Sequence, residues 1–340
     1  MQKKIAVVIL NWNGAEMMRR FLPSVVGNSE EAEIVVADNG SDDESVSMLH
    51  QEFPGVRVIE LGHNYGFAEG YNKALAQLEY PYSVLLNSDV EVTPHWLSPM
   101  FQYMEEHEDV VACQPKIKSE RQRSMFEYAG ACGGYMDALG YPFCRGRILN
   151  TVEEDKGQYD TVAPVLWATG AALMIRTEVF RQVGGLDGRF FAHMEEIDLC
   201  WRLRGRGMKI VCIPQSVVYH VGGATLDKSN PRKTFLNFRN NLLMIYKNTP
   251  ADRLDKVLKW RWILDHIAML QMLLTGKRRD AQAVCKARRE FQRMKPDFFA
   301  SRQENLQAIV CQQMPEMISG SILWQYYVKR RHRYSQIKKE

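Results

Sequence analysis

Val84-Leu85-Leu86-Asn87-Ser88-Asp89-Val90-Glu91-Val92 is an apolar, β-prone run that turns into oxygen-bearing side chains. Three consecutive large aliphatic residues fit a strand covered on both faces. Asn87, Ser88 and Asp89 then leave a carboxylate at the strand's C-terminal end. Ligands of open α/β sheets bind at that end. A carboxylate there suits a hard divalent cation, and such a cation commonly bridges to phosphate. Ordinary turn chemistry also puts Asn, Ser and Asp after a strand, so the surrounding chain has to decide.

Three strand–helix units precede this stretch. Ile5 to Leu10 reads as a buried strand, ended by Asn11-Trp12-Asn13-Gly14, and Met17 to Val26 has helical spacing. Ile34 to Ala37 is a second strand, closed by the acidic turn Asp38 to Asp43 and followed by a helix from Glu44 to Phe53. Val56 to Leu61 is a third, with a helix from Phe67 to Leu78. This repetition implies right-handed βαβ units: an α/β fold with a twisted, mostly parallel sheet and helices on both faces. The loops at 11–14, 38–43 and 87–91 then share one sheet edge, a rim of Asn and Asp able to meet a base, a ribose and a metal-bound diphosphate. Neither G-x-G-x-x-G after the first strand nor G-x-x-x-x-G-K-[ST] occurs, which argues against a dinucleotide dehydrogenase and a P-loop enzyme.

Further on, His95 to His107 is helical, Val110 to Gln114 is a short strand, and residues 119–160 read as an excursion over the site. Trp167 to Ile175 returns to a strand whose small residues permit close backbone approach. His193 to Arg204 reads as a helix with an acidic first turn. Glu195, Asp198 and Arg202 share a face, with Asp198 and Arg202 paired at i, i+4, while Glu196 points about 100° away. The helix dipole alone would favour acids there. Met208 to Ile213 and Val217 to Tyr219 are strand-like and deliver His220, either a metal ligand or a loop residue.

The ordered set Val8-Ile9-Leu10-Asn11-Trp12-Asn13-Gly14, Asp38-Asn39-Gly40-Ser41-Asp42, Asn64-Tyr65-Gly66-Phe67-Ala68, Leu86-Asn87-Ser88-Asp89, Gly184-Gly185-Leu186-Asp187 and Glu195-Glu196-Ile197-Asp198-Leu199 resembles the family-two nucleotide-sugar glycosyltransferases of GT-A fold. The nearest branch is the rhamnosyltransferase-type enzymes of bacterial surface-polysaccharide assembly, and the resemblance covers roughly residues 4–245. It implies an inverting transfer with Glu196 as the base, and Glu195 and Asp198 as the other acidic candidates. It implies a nucleotide-sugar site made from Asn11, Asn13, Asp38, Asn39, Asn64, Gly66, Phe67, Asn72, Asn87, Ser88 and Asp89. Asp89 and His220 would hold Mg²⁺ or Mn²⁺, and Trp167, Gly170, Arg202 and Arg239 would face the acceptor or the diphosphate. Two residues depart from the family pattern: Asn87 replaces the first carboxylate of its D-x-D, and Glu196 stands where Asp is usual. The donor it favours is dTDP-rhamnose, and the acceptor a glycan or lipid-linked glycan. A sugar-phosphate nucleotidyltransferase or a non-catalytic membrane adaptor would share much of this pattern; the first would want a Gly-rich, basic loop where residues 11–14 stand.

The net charge of +4 hides a division. Residues 1–231 carry 21 Lys and Arg against 31 Asp and Glu; residues 232–340 carry 23 against 9. The expected organisation is a catalytic domain over 1–231, its nucleotide-sugar half about 1–92 and its acceptor half about 93–231, then a basic helical region over 232–340. Residues 253–275 combine Leu, Ile, Met and Trp with Lys256, Lys259 and Arg261, an amphipathic helix suited to an anionic membrane surface. Packing on the catalytic domain or a homodimer partner are its alternatives. The basic stretches carry no recognised nucleic-acid motif. Seven cysteines without a CxxC pair argue against a disulfide framework or a structural zinc. No window approaches about 18 uninterrupted apolar residues, and the residues after Met1 read as a strand rather than a signal peptide. The expected location is cytoplasmic, peripheral at the inner face of the cell membrane.

Overall fold

In chain order, the computed structural model, which describes residues 3–222, 230–311 and 313–337, runs β1 (Ile5–Asn11), α1 (Ala15–Gly27), β2 (Ala32–Asp38), α2 (Ser45–Glu52), β3 (Arg57–Glu60), α3 (Gly66–Leu75), β4 (Tyr82–Leu86), β5 (Val90–Val92), α4 (Leu97–Glu106) and β6 (Val110–Ser119). Short strands β7 (Gly134–Asp137), β8 (Pro142–Cys144), β9 (Arg147–Ile148), β10 (Thr151–Val152) and β11 (Ala163–Pro164) follow, then β12 (Ala172–Arg176), α5 (Thr177–Gln182), α6 (Glu195–Gly205) and β13 (Lys209–His220). The remainder holds α7 (Pro231–Asn248), α8 (Ala251–Leu274), α9 (Arg278–Met294), α10 (Phe299–Gln307), β14 (Met317–Ile318) and α11 (Ile322–Tyr327).

The main sheet has the order β11-β13-β6-β12-β4-β1-β2-β3, with β5 added on β13. Strands β1 to β4 are mutually parallel, as their βαβ connections require. β12 runs antiparallel to both β4 and β6, so the sheet is mixed at its centre. Alternate residues feed two cores. Val8, Val35 and Leu85 pack with α3 and α6 on one face; Val7, Val36 and Val84 pack with α1, α2 and α4 on the other. That two-sided burial explains why these strands read as continuous apolar runs.

Three sequence expectations change. The strand expected from Trp167 begins only at Ala172. The two strand-like pieces around 213 and 217 are one strand, β13, with an irregularity in its pairing to β6 between Ile213 and Val217. The 119–160 excursion builds part of a second sheet, β10-β9-β8-β7-β14, whose last strand comes from residues 317–318. The register Val90 to His220 between β5 and β13 then brings His220 beside Asp89.

Candidate active site

A cavity of about 1260 Å³ opens where β1, β4 and β13 end and α6 begins. That volume exceeds the usual range for a single small ligand. Asn11, Asn39, Asn64, Gly66, Phe67, Asn87, Ser88, Asp89, Gly170, Glu195, Glu196 and His220 all line it.

One wall is a ladder of amides. Asn11 Nδ2 donates to Asp38 Oδ1 at 3.0 Å, and its Oδ1 is buried with no partner. Asn39 Nδ2 donates to the Gly66 carbonyl at 3.0 Å, and Asn39 Oδ1 accepts from the Tyr65 amide at 3.0 Å. Asp38 itself does not line the cavity; its oxygens are used by Asn11 and by the Ser41 amide and hydroxyl. Asn13 also lies outside, its Oδ1 accepting from the Asp42 amide. Asn72 ties α3 to Leu186 through both ends of its amide. Gly66 is obligatory. It has φ +76°, and a Cβ there would meet the Phe191 ring at 2.5 Å.

The second wall is a charged triad. His220 Nε2 lies 3.1 Å from Asp89 Oδ1, and its Nδ1 lies 3.6 Å from Glu127 Oε2, an ion-pair distance rather than a hydrogen bond. All three are buried. Burial alone would pull His220 down, but the Glu127 and Asp89 carboxylates outweigh it and push it up to about 10. Asp89 moves the other way: burial opposes its ionisation, and His220 holds it below the usual range. Glu127 comes from the excursion between β6 and β7, where no periodicity or motif singles it out. Its Oε2 is fixed by the Ala129 amide at 2.5 Å. Gly222, φ +71°, leaves the room it occupies.

The third wall is the start of α6. Burial raises both Glu195 and Glu196 above the ordinary carboxylate range, and Glu196 raises Glu195 further. Each has an Oε2 shielded from solvent without a hydrogen-bond partner. Acidic candidate Asp198 is not free. It is fully buried and accepts from Arg202 Nε at 2.9 Å, Lys247 Nζ at 2.8 Å and Asn248 Nδ2 at 2.8 Å. Arg202 spends its other nitrogens on the Val183 and Gly185 carbonyls. Trp167 is buried, with its indole donating to the Tyr135 carbonyl at 2.9 Å, and Arg239 donates to the Phe190 carbonyl at 3.0 Å. None of Asp198, Arg202, Trp167 or Arg239 lines the cavity. Arg121, Arg232 and Lys233 do, as does His193, which burial and Lys233 push down to about 4.

The approach to α6 is strained. Phe191 has φ 67° and ψ −60°, and the Ala192 amide donates to the Phe190 carbonyl at 2.8 Å, a γ-turn of the rare positive-φ form. His193 and Met194 follow at φ 72° and 75°. Each such non-glycine residue costs about 1–3 kcal/mol. Backbone strain of this kind clusters at functional sites, and this segment delivers the two carboxylates to the cavity.

The family model for Glycosyl transferase family 2 matches residues 6–182. The chain belongs to that family. Within this glycosyltransferase family, it is 27% identical over 232 residues to the N-acetylglucosaminyl-diphospho-decaprenol L-rhamnosyltransferase of Mycobacterium tuberculosis, an alignment covering 64% of this chain and 75% of the relative. The GT-A fold is shared with the Pyrobaculum calidifontis mannosyltransferase solved with GDP-Man and Mn²⁺ (14% identity, TM-score 0.53, covering 90% of this chain and 88% of that one). It is shared also with GalNAc-T7 solved with UDP, GalNAc and Mn²⁺ (16% identity, TM-score 0.55, covering 72% of this chain); there the chain spans just under half, 48%, of the other protein. The protein is therefore a family 2 glycosyltransferase.

Asp89 and His220 offer a hard oxygen and an imidazole nitrogen on the same cavity wall, a donor pair that fits Mg²⁺ or Mn²⁺. Among the described residues no group of three or more His, Cys, Asp or Glu is arranged to hold a metal unaided. The remaining ligands of such an ion would come from the diphosphate and water.

Proposed function

We propose that this glycosyltransferase moves a sugar, rhamnose from dTDP-rhamnose, with inversion onto a glycan or lipid-linked glycan acceptor at a membrane surface. One observation carries the reading: the Asp89–His220 pair and the Glu195–Glu196 pair line a single cavity, so a leaving-group site and a base share one chamber. Asn11, through its unpartnered Oδ1, and Asn64 offer amide groups to the nucleoside, while Asn39 braces the wall behind them. A divalent cation held by Asp89 and His220 would supply charge neutralisation for the departing diphosphate. Glu196 accepts the proton of the acceptor hydroxyl as that oxygen attacks the anomeric carbon. The bond from the anomeric carbon to the diphosphate oxygen breaks, and the carbon inverts. Arg121, Arg232 and Lys233 give the cavity positive groups for a phosphate-bearing acceptor.

The choice of rhamnose and of a lipid-linked acceptor leans on the name of the mycobacterial relative. The membrane surface leans on α8, whose outward apolar residues are flanked by Lys256, Lys259, Lys277, Arg278 and Arg279. Among the described residues no helix is long and apolar enough to cross a membrane.

The test pairs binding with transfer. Thermal unfolding with dTDP, UDP or GDP, with Mn²⁺ and again with EDTA, is expected to show a dTDP shift that EDTA abolishes. Saturation at about 100 times the dissociation constant adds about 2.7 kcal/mol. Glu196→Gln is expected to keep that shift while losing transfer of rhamnose to a synthetic N-acetylglucosaminyl-diphospho-lipid. A shift with UDP or GDP alone overturns the donor; full transfer by Glu196→Gln overturns the base.

A further inference from the structure

Asn240, on α7, is fully buried, and the two N–H groups of its Nδ2 are shared among three backbone carbonyls: Phe190 at 3.0 Å, Ala192 at 2.8 Å and His193 at 2.8 Å. Its Oδ1 accepts from Arg239 Nε at 2.8 Å, and Arg239 Nη2 adds a second bond to the Phe190 carbonyl at 3.0 Å. A guanidinium can only donate, so the Arg239 bond dictates which end of the Asn240 amide faces the three carbonyls. Those carbonyls belong to the segment that holds Phe191, His193 and Met194 at positive φ and runs directly into Glu195.

A turn of this kind persists only where its surroundings over-determine it. Two restraints do so here. From α3, the Phe67 amide donates to the Phe191 carbonyl at 2.7 Å. From α7, Asn240 gathers the carbonyls on either side. The geometry suits asparagine in particular. Aspartate would set a carboxylate against three carbonyl oxygens, alanine would take this donor from the Ala192 and His193 carbonyls and leave Phe190 to its other donors, and glutamine would need an extra methylene in a fully buried space.

We propose that Asn240, with its amide oriented by Arg239, is the positioning residue for the catalytic carboxylates. It holds the Phe190, Ala192 and His193 carbonyls and thereby fixes the direction in which Glu195 and Glu196 leave the first turn of α6. The inference rests on the reading of Glu196 as the base.

The experiment compares the full-length protein with Asn240→Ala, with Arg239→Lys, and with Ser216→Ala as a control. The Ser216 hydroxyl makes a buried bond to the Trp96 carbonyl, at 2.5 Å, outside the cavity lining. Amide exchange read by mass spectrometry is expected to accelerate about tenfold or more in peptides spanning 190–197 of Asn240→Ala, and to stay unchanged in β1 and β4. dTDP affinity and donor KM should stay within about threefold while kcat falls about a hundredfold. Arg239→Lys, which keeps the charge but loses the directional Nε bond, should move the same readouts less. Ser216→Ala should move neither the 190–197 exchange nor the KM-against-kcat split. Unchanged exchange at 190–197 in Asn240→Ala overturns the proposal, as does kcat within about threefold of the parent. Should the parent transfer nothing from dTDP-, UDP- or GDP-sugars, the proposed function fails; the exchange comparison alone then upholds or overturns the Asn240 assignment. If Asn240→Ala does not fold, Arg239→Lys carries the same readouts.

Discussion

His220 Nε2 lies 3.1 Å from Asp89 Oδ1, with both side chains buried and Glu127 on the opposite ring nitrogen. When protonated, the imidazole sets a positive charge between the Asp89 and Glu127 side chains. A metal at Asp89 and His220 must displace that proton. Because the histidine is pushed up to about 10, apparent Mn²⁺ affinity should rise about tenfold per pH unit between neutral pH and that value. Calorimetry in buffers of different ionisation enthalpy should report a released proton; buffer-independent heats would refute the assignment. In the absence of metal the sign reverses. Folded His220 binds its proton more tightly than unfolded His220, so this stabilisation is complete below about 6.5 and drains away as pH rises towards 10.

Glu196 is raised by burial, and so is its neighbour Glu195. A base must be ionised to act, so the acid limb of the kcat profile should lie above the ordinary glutamate value of 4.5. That limb should survive in Glu195→Gln and vanish, with about 100-fold or greater loss of rate, in Glu196→Gln. A limb that follows Glu195 instead would exchange the two roles. For stability the neutral forms are favoured in the fold, so these two carboxyls cost the protein stability as pH rises through their folded values.

Lys247 Nζ donates to Asp187 Oδ2 and Asp198 Oδ2, each at 2.8 Å, from a site 3% exposed. Lys247→Met leaves two buried carboxylates short of a counter-charge. Breaking a buried pair from one side typically costs about 3–5 kcal/mol. Urea unfolding should show a loss of that order, and a loss below about 1 kcal/mol would mean that Arg189 and Arg202 suffice.

Helix α8 buries Leu254, Val257, Arg261 and Asp265, and exposes Trp260, Trp262, Ile267, Leu270, Leu273 and Leu274. In the second half of the helix, the charged pair Arg261–Asp265 faces inward and hydrocarbon faces outward. Leu270→Glu combined with Leu274→Glu should abolish sedimentation with phosphatidylglycerol vesicles and leave unfolding unchanged, since both side chains contact solvent. Undiminished vesicle binding, or loss of a homodimer in light scattering instead, would move this face from lipid to a second copy of the chain.

The parts legible from sequence were those whose pattern is local. Val84 to Leu86 is apolar throughout because the sheet is covered on both faces, and the Asn and Asp at the strand ends follow from the parallel topology. Partnerships made across the chain were not legible. Glu127 meets His220 from 93 positions earlier in the numbering. Asp198 and Arg202 read correctly as an i, i+4 pair, yet nothing nearby reveals that Lys247 and Asn248 complete their burial. Arg239 and Arg261 look like members of a solvated basic face. Arg261 is instead 2% exposed and bonded to Asp265. A polar residue in a helix carries no local mark of whether a distant carbonyl or carboxylate awaits it.

The pairing of β14 with β7 has a consequence for how the chain is made. Met317 lies beside Met136 and Ile318 beside Asp137, and the Ile322 amide donates to Asp137 Oδ2 at 2.9 Å. Asp137, fully buried and pushed up to about 6 by that burial, gains this donor only after some 180 further residues have been synthesised. At about 5–20 residues per second, β7 emerges from the ribosome many seconds before its neighbour and must wait with an open edge. Such an edge is where a nascent chain meets chaperones or another chain. During translation the chain therefore carries one unpaired edge of β7 across the whole interval between two short strands.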